Sequence, residues 1–160
     1  MENIFENRGP RAAGAWQAIV FGGLVAGALD ITAASVNAWL RAGKSPFWTF
    51  QSVAGGLYGS ETFNGGWRTA ALGLIIHFLI ATTAAAVFFL ASRRLKFMTE
   101  KPFLSGPLYG VAVYVFMYFG VLPLTPLNIT YTLTGVLTAV VIHIFCVGLP
   151  IALVVRRFAP

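Results

Sequence analysis

Three ionisable side chains interrupt long apolar stretches of this 160-residue chain: Asp30, His77 and His143. Such groups cost at least about 2.5–3.5 kcal/mol at the centre of a membrane helix on insertion scales, so each is expected to have a partner or a function. Counting residues from the ends of the stretches places all three at similar depth. The sequence therefore predicts a polar layer made by these three residues, with Asn37 and Tyr114 as further binding groups.

Three kinds of chemistry are open to this layer. Asp30 and a histidine that titrate would serve a path for protons or for a small polar solute. Two imidazoles at equal depth, on His77 and His143, could instead bind haem b axially or, joined by Asp30, a metal ion. Gly27 and Gly110 would then leave room for the haem ring. In the structural alternative, Asp30 pairs with a histidine or a hydroxyl group and fixes the register of the helices.

Four stretches have the length and apolarity to carry this layer through a membrane. A hydrocarbon core of about 30 Å requires about 20 helical residues, and the stretches that meet this requirement are 16–40, 69–91, 102–122 and 131–155. Charged residues make up 10% of the chain, against about a quarter in soluble domains, which excludes a soluble globular domain. We therefore predict an all-α fold, a polytopic membrane four-helix bundle that forms one transmembrane domain over residues 1–160.

The distribution of Lys and Arg predicts the orientation of the bundle. Eight of them lie at the N-terminus, in the central loop and at the C-terminus, whereas the long loop on the other side has three: Arg41, Lys44 and Arg68. Because cytoplasmic segments keep the excess of positive charge, both termini are predicted to be cytoplasmic. The net charge of +6 then indicates contact with the lipid bilayer and its anionic head groups, and no binding of nucleic acid.

Two copies of one helical hairpin are a further prediction. Aligning the second apolar stretch with the fourth places His77 on His143, and aligning the first with the third places Gly22 on Gly106 and Asp30 opposite Tyr114. Two copies with the same topology would pack around an axis along the membrane normal, as parallel transporter repeats do. The functional site is then expected on that axis.

The long outer loop is predicted to contain a short helix over about residues 46–56. Ser45 can cap such a helix, and Pro46 suits its first position. The segment is too short to span a membrane, and it is either interfacial or re-entrant. The aromatic residues Phe47, Trp48 and Phe50 favour the interfacial position.

The sequence also resembles a known group of proteins. The segments that carry the resemblance are GALD at 27–30, FQSVAGGL at 50–57, ALGLIIHF at 71–78 and GVAVY at 110–114. They are similar to small, uncharacterised, YagU-like four-helix proteins of bacterial inner membranes, over most of the chain. The resemblance implies a location in a bacterial inner membrane and no particular activity.

The function predicted first is that of a small transport or accessory protein, homo-oligomeric or part of a larger membrane complex. Its polar layer would handle protons or a small polar solute. The alternatives are a haem-binding redox subunit that uses His77 and His143, and a purely structural subunit. No catalytic role is predicted, since Gly-x-Ser-x-Gly, His-Glu-x-x-His and phosphate-binding glycine-rich motifs are absent from the sequence.

Overall fold

Four long apolar helices pack as a bundle in the computed structural model of the chain, which describes residues 10–127 and 132–158. In chain order the α-helices are α1 (Pro10–Ala42), α2 (Pro46–Tyr58), α3 (Gly66–Ser92), α4 (Phe97–Glu100), α5 (Pro102–Val115), α6 (Leu133–Ile142) and α7 (Leu149–Phe158). A 3-10 segment leads from α2 to α3, and π-helical segments follow α5 and join α6 to α7. The all-α fold predicted from the sequence is confirmed.

Four helical stretches are long and apolar enough to cross a membrane, and we number them spans 1 to 4: Gly14–Ala42, Gly66–Ser92, Pro102–Leu124 and Leu133–Phe158. Each begins and ends within three residues of a stretch predicted from the sequence. Large apolar side chains such as Leu79 and Phe116 are exposed on the outside of the bundle, where lipid would cover them. These features indicate a multi-pass integral membrane protein. Arg8 and Tyr131, which entered the predicted orientation and span bounds, lie outside the described residues.

Glycines allow spans 1 and 2 to approach closely. A Cβ atom added to Gly23 would lie 2.5 Å from the Cα atom of Thr82, and one added to Gly27 would lie 2.8 Å from the ring of Phe78. The backbone of span 1 therefore lies directly against span 2, as small residues permit between membrane helices.

Spans 3 and 4 approach each other in the same manner. Gly106 lies against Leu149, and Gly110 lies against the backbone of His143, with added Cβ atoms 2.8 Å from the nearest Leu149 and His143 carbon atoms. Span 1 also packs against span 4. Spans 2 and 3 lie further apart, although the Tyr109 hydroxyl of span 3 donates a hydrogen bond to the carbonyl of Ala84 over 2.7 Å. The bundle is consequently open along the side between spans 2 and 3.

The helix α2 covers one end of the bundle, which we call the α2 end. It begins at Pro46 with Ser45 as its cap, as predicted, and it crosses span 2 where Gly73 lies against the carbonyl of Phe50. Its last turn reaches the loop after span 3, where an added Cβ at Gly55 would lie 3.0 Å from Leu127. The short helix thus runs from the end of span 1 across span 2 to span 3.

The side chain of Gln51 holds α2 against the start of span 2. Its amide nitrogen lies 3.2 Å from the carbonyl oxygen of Thr62, 3.3 Å from that of Gly66 and 3.1 Å from the hydroxyl of Thr69. The hydroxyl of Thr62 donates in return to the carbonyl of Gln51 over 2.9 Å. Since Gln51 is only 4% exposed, water does not replace these bonds.

We expect the substitution Gln51→Leu to lower the free energy of unfolding by about 1–2 kcal/mol, because each hydrogen bond contributes about 1 kcal/mol net. Thermal unfolding in mild detergent measures the change. The matched control is Ser52→Ala, which removes a hydroxyl that bonds only within α2, to the carbonyl of Thr49. Equal stability of the two variants would show that Gln51 does not hold α2 in place.

Candidate functional site

The structure places Asp30, His77 and His143 in the wall of one cavity of about 500 Å³. All four spans contribute to this central cavity, and α2 forms its roof through residues that include Ser52 and Gly56. The three residues come from spans 1, 2 and 4. They line one cavity because each lies at a matching depth along its own helix. The polar layer expected from the sequence is therefore present as a shared lining.

Asp30 and His77 face each other between spans 1 and 2. Oδ2 of Asp30 lies 3.9 Å from Nε2 of His77, which is too long for a hydrogen bond. Nε2 lies 2.9 Å from the carbonyl oxygen of Gly27, and because a carbonyl only accepts, Nε2 carries a proton and donates it there. The imidazole is thus fixed by the backbone of span 1, and the carboxylate keeps capacity to accept hydrogen bonds from a ligand.

His143 is held by its own helix. Its Nδ1 lies 2.8 Å from the carbonyl oxygen of Ala139, so Nδ1 carries the proton and Nε2 is the nitrogen left for other partners. The rings of Tyr114 and Tyr118 meet the imidazole edge-on, with centroids at 5.6 and 6.2 Å. These contacts fix the orientation of His143 at the cavity wall.

Tyr114 was expected to be a binding residue, and the structure places it behind His143. It is 3% exposed, and it lines neither the central cavity nor the cavity next to it. Among the described residues its hydroxyl has no hydrogen-bond partner. Tyr114 therefore supports His143 through ring contact, and its immediate neighbour Val113 takes the place in the cavity wall.

A second cavity of about 330 Å³ lies between spans 1 and 4. Asn37 and Thr132 line it, so this polar cavity extends toward the α2 end. It shares Asp30, Tyr118 and His143 with the central cavity. These three side chains therefore lie where the two cavities meet, which we call the junction. Asn37, which was predicted to be a binding residue, lines only the polar cavity.

Two π-helical segments shape the walls at this junction. They are Phe116–Val121 and His143–Gly148, and each begins seven residues before a proline, Pro123 and Pro150 respectively. A proline has no N–H to donate, and its ring clashes with the carbonyl four residues earlier, so each proline disturbs the regular α-helical hydrogen bonding just before it. Such segments are rare and occur frequently at functional sites. The sequence analysis missed them, although the two prolines are a signal for them.

Protein atoms occupy the space beside the two glycines that were expected to make room for haem b. The space beside Gly27 is filled by the ring of Phe78, and the space beside Gly110 is filled by the backbone of His143 and Ile144. The room that the two glycines were expected to leave for a haem ring is thus used for packing between spans. In the described part of the chain, no group of three or more His, Cys, Asp and Glu residues could hold a metal ion.

The chemistry open to the two cavities is proton exchange and hydrogen bonding to a small ligand. The carboxyl group of Asp30 and the imidazole of His143 at the junction, and the imidazole of His77 in the central cavity, are groups that take up and release protons. No family model, curated protein or solved structure matches the chain. The function is therefore inferred from the geometry of the two cavities.

Proposed function

We propose that this chain is a small proton-linked transport protein, with Asp30, His77 and His143 as its binding site. The observation that carries the proposal is the junction itself, since Asp30 and His143 line both the central cavity and the polar cavity. A proton or a small polar solute that passes from one cavity to the other meets these groups. Asn37 adds a hydrogen-bonding group on the side of the α2 end.

The presence of an ionisable carboxyl group within an apolar stretch supports a functional role for Asp30. It is the one Asp, Glu, Lys or Arg within residues 16–40, 69–91, 102–122 and 131–155. Were its role only to fix helix register by pairing with His77, a direct bond between these two side chains would be expected. His77 instead bonds to the carbonyl of Gly27, and the carboxylate lies 3.9 Å away.

Internal duplication of a hairpin is part of the proposal, and the glycine contacts support it. Gly23 and Gly27 of span 1 lie against span 2, and Gly106 and Gly110 of span 3 lie against span 4. The two glycines of each pair are four residues apart, and in each hairpin they allow the two spans to approach closely.

We further propose that the protein belongs with the YagU-like group in a bacterial inner membrane, with both termini in the cytoplasm. The eight Lys and Arg residues assigned to that side support this orientation. The proposed site is formed by residues of one chain, so it does not require the homo-oligomer or larger complex expected from the sequence.

The experiment that tests this function uses purified protein in liposomes that contain a pH-sensitive dye, with potassium and valinomycin to remove the membrane potential. We expect an imposed pH gradient to decay faster in liposomes that contain the wild-type protein than in protein-free liposomes. A wild-type preparation that folds and leaves the liposomes as proton-tight as protein-free ones would contradict the proposal.

A further inference from the structure

An apolar groove of about 580 Å³ runs along the open side of the bundle, between spans 2 and 3. Its lining includes Leu79, Val87 and Phe116, whose side chains are 65%, 51% and 67% exposed. Because these side chains lie on the membrane-facing surface, the groove faces lipid. A molecule dissolved in the bilayer can therefore reach the groove without crossing water.

The groove adjoins the central cavity. The two spaces share five apolar or small wall residues, which are Ile80, Ala84, Val113, Met117 and Val121. Spans 2 and 3 do not pack closely along this side. The lipid-facing groove and the cavity that contains Asp30 are thus adjacent, with these side chains in the walls of both.

The charge and lining of the cavity and the groove define the kind of ligand that they suit. Asp30 is the one Asp, Glu, Lys or Arg that lines the cavity or the groove, so with both histidines neutral the site carries a single negative charge. The ring of Tyr118 lies at the same junction, and aromatic faces attract cations. The remaining walls of the groove are almost entirely apolar. A complementary ligand has one positive charge and a large apolar body.

We infer that the central cavity and the groove together bind a hydrophobic organic cation that enters sideways from the bilayer. Its charged centre lies near Asp30, and its apolar part lies between spans 2 and 3. This inference rests on the proposed transport function, because the cation is then a solute that competes with a proton for Asp30. Where the carboxyl group of Asp30 is protonated, it releases its proton to water as the cation binds, and the resulting carboxylate balances the charge of the cation.

The test is equilibrium binding of radiolabelled tetraphenylphosphonium to the purified protein in mild detergent, with tetramethylammonium as a cation that lacks an apolar body. Asp30→Asn removes the charge, and Asp30→Glu keeps it. Ala112→Trp fills the groove, since Ala112 lines the groove and not the central cavity. Ala28→Trp is its matched control, at an exposed position of span 1 that lines neither space.

We expect the wild-type protein to bind tetraphenylphosphonium and to bind tetramethylammonium at least about tenfold more weakly, which corresponds to about 1.4 kcal/mol. Asp30→Asn and Ala112→Trp should each weaken binding of tetraphenylphosphonium by at least about tenfold, because the first removes the negative charge near the cation and the second fills the groove. Asp30→Glu keeps the charge and should bind it more tightly than Asp30→Asn does. Ala28→Trp should bind it within about threefold of the wild type, a change of less than about 1 kcal/mol.

Two results would overturn the inference: no binding of tetraphenylphosphonium by the wild-type protein, or equal binding by Asp30→Asn. Equal binding by Ala112→Trp and Ala28→Trp would overturn sideways entry through the groove. The decay of a pH gradient in proteoliposomes is measured separately, so a failure of this inference can be told from a failure of the proposed transport function.

Discussion

Asp30→Asn is expected to reduce the decay of the pH gradient in proteoliposomes to the rate of protein-free liposomes. The asparagine amide has nearly the same shape as the carboxylate, but it neither binds nor releases a proton. His77 and His143 each donate a hydrogen bond to a backbone carbonyl, and neither replaces the carboxylate at the junction. Dye fluorescence measures the rate.

The stability of the same variant separates a functional role from a structural one. An asparagine avoids the cost of a charge within the membrane, about 2.5–3.5 kcal/mol on insertion scales, so the variant should unfold at the same temperature as the wild type or a higher one. The matched control is Glu61→Gln, which neutralises a carboxylate in the 3-10 segment outside the spans and should leave the flux unchanged. Unchanged flux together with lower stability in Asp30→Asn would favour the structural subunit.

Gly148→Val is expected to lower the free energy of unfolding by at least about 3 kcal/mol, the upper part of the range for overpacked cores. A Cβ atom at this position would lie 2.7 Å from the Cα atom of Gly110, and it would also collide with the carbonyl oxygen of Gly106. These atoms belong to the backbone of span 3, so no side chain can rotate away. Spans 3 and 4 must separate, and His143 moves with span 4.

The control for this substitution is Gly120→Ala, a glycine in the π-helical segment of span 3. An added Cβ there would lie 3.5 Å from the ring of Phe116, an ordinary contact distance, so stability should change by less than about 0.5 kcal/mol. Thermal unfolding in mild detergent compares the two variants. If Gly148→Val unfolds at the same temperature as Gly120→Ala, the close approach of spans 3 and 4 is wrong.

The apolar length of the four stretches was enough to predict the spans, because a membrane helix must satisfy its backbone internally over a fixed thickness. The depth of Asp30, His77 and His143 along their helices was enough to predict that they lie close together, and all three line one cavity. Gly27 and Gly110 indicated that another group lies close to the helix backbone at these positions. The sequence does not show whether that group is a bound cofactor or a neighbouring span. The structure shows protein neighbours there, and the room expected for haem is filled.

Tyr114 shows that a shift of one residue along a helix decides which side chain lines a cavity. The sequence alignment of spans 1 and 3 placed it opposite Asp30, whereas the structure places its neighbour Val113 in the wall of the cavity that Asp30 lines. One residue turns a helix by about 100°, since a turn takes about 3.6 residues. Val113 accordingly lines the cavity, and Tyr114 is buried behind it against His143.

The opening between spans 2 and 3 could not be predicted from composition, because the residues that line the groove and those that pack between spans are equally apolar. Leu79 and Phe116 face outward, while Phe88 is fully buried, and nothing in their chemistry separates them. Only the relative positions of whole helices decide which apolar face is covered. The π-helical segments add to this difficulty, since each changes the angular register of the residues that follow.

The most direct test of Asp30 as the transport site is its chemical modification by dicyclohexylcarbodiimide, an apolar reagent that adds to protonated carboxyl groups in apolar surroundings. Mass spectrometry of the treated protein locates the adduct, and the decay of the pH gradient is measured on the same sample. We expect one adduct, on Asp30, and a loss of proton flux in proportion to its yield. Complete modification of Asp30 with the flux unchanged, or loss of flux with Asp30 unmodified, would contradict its role as the site.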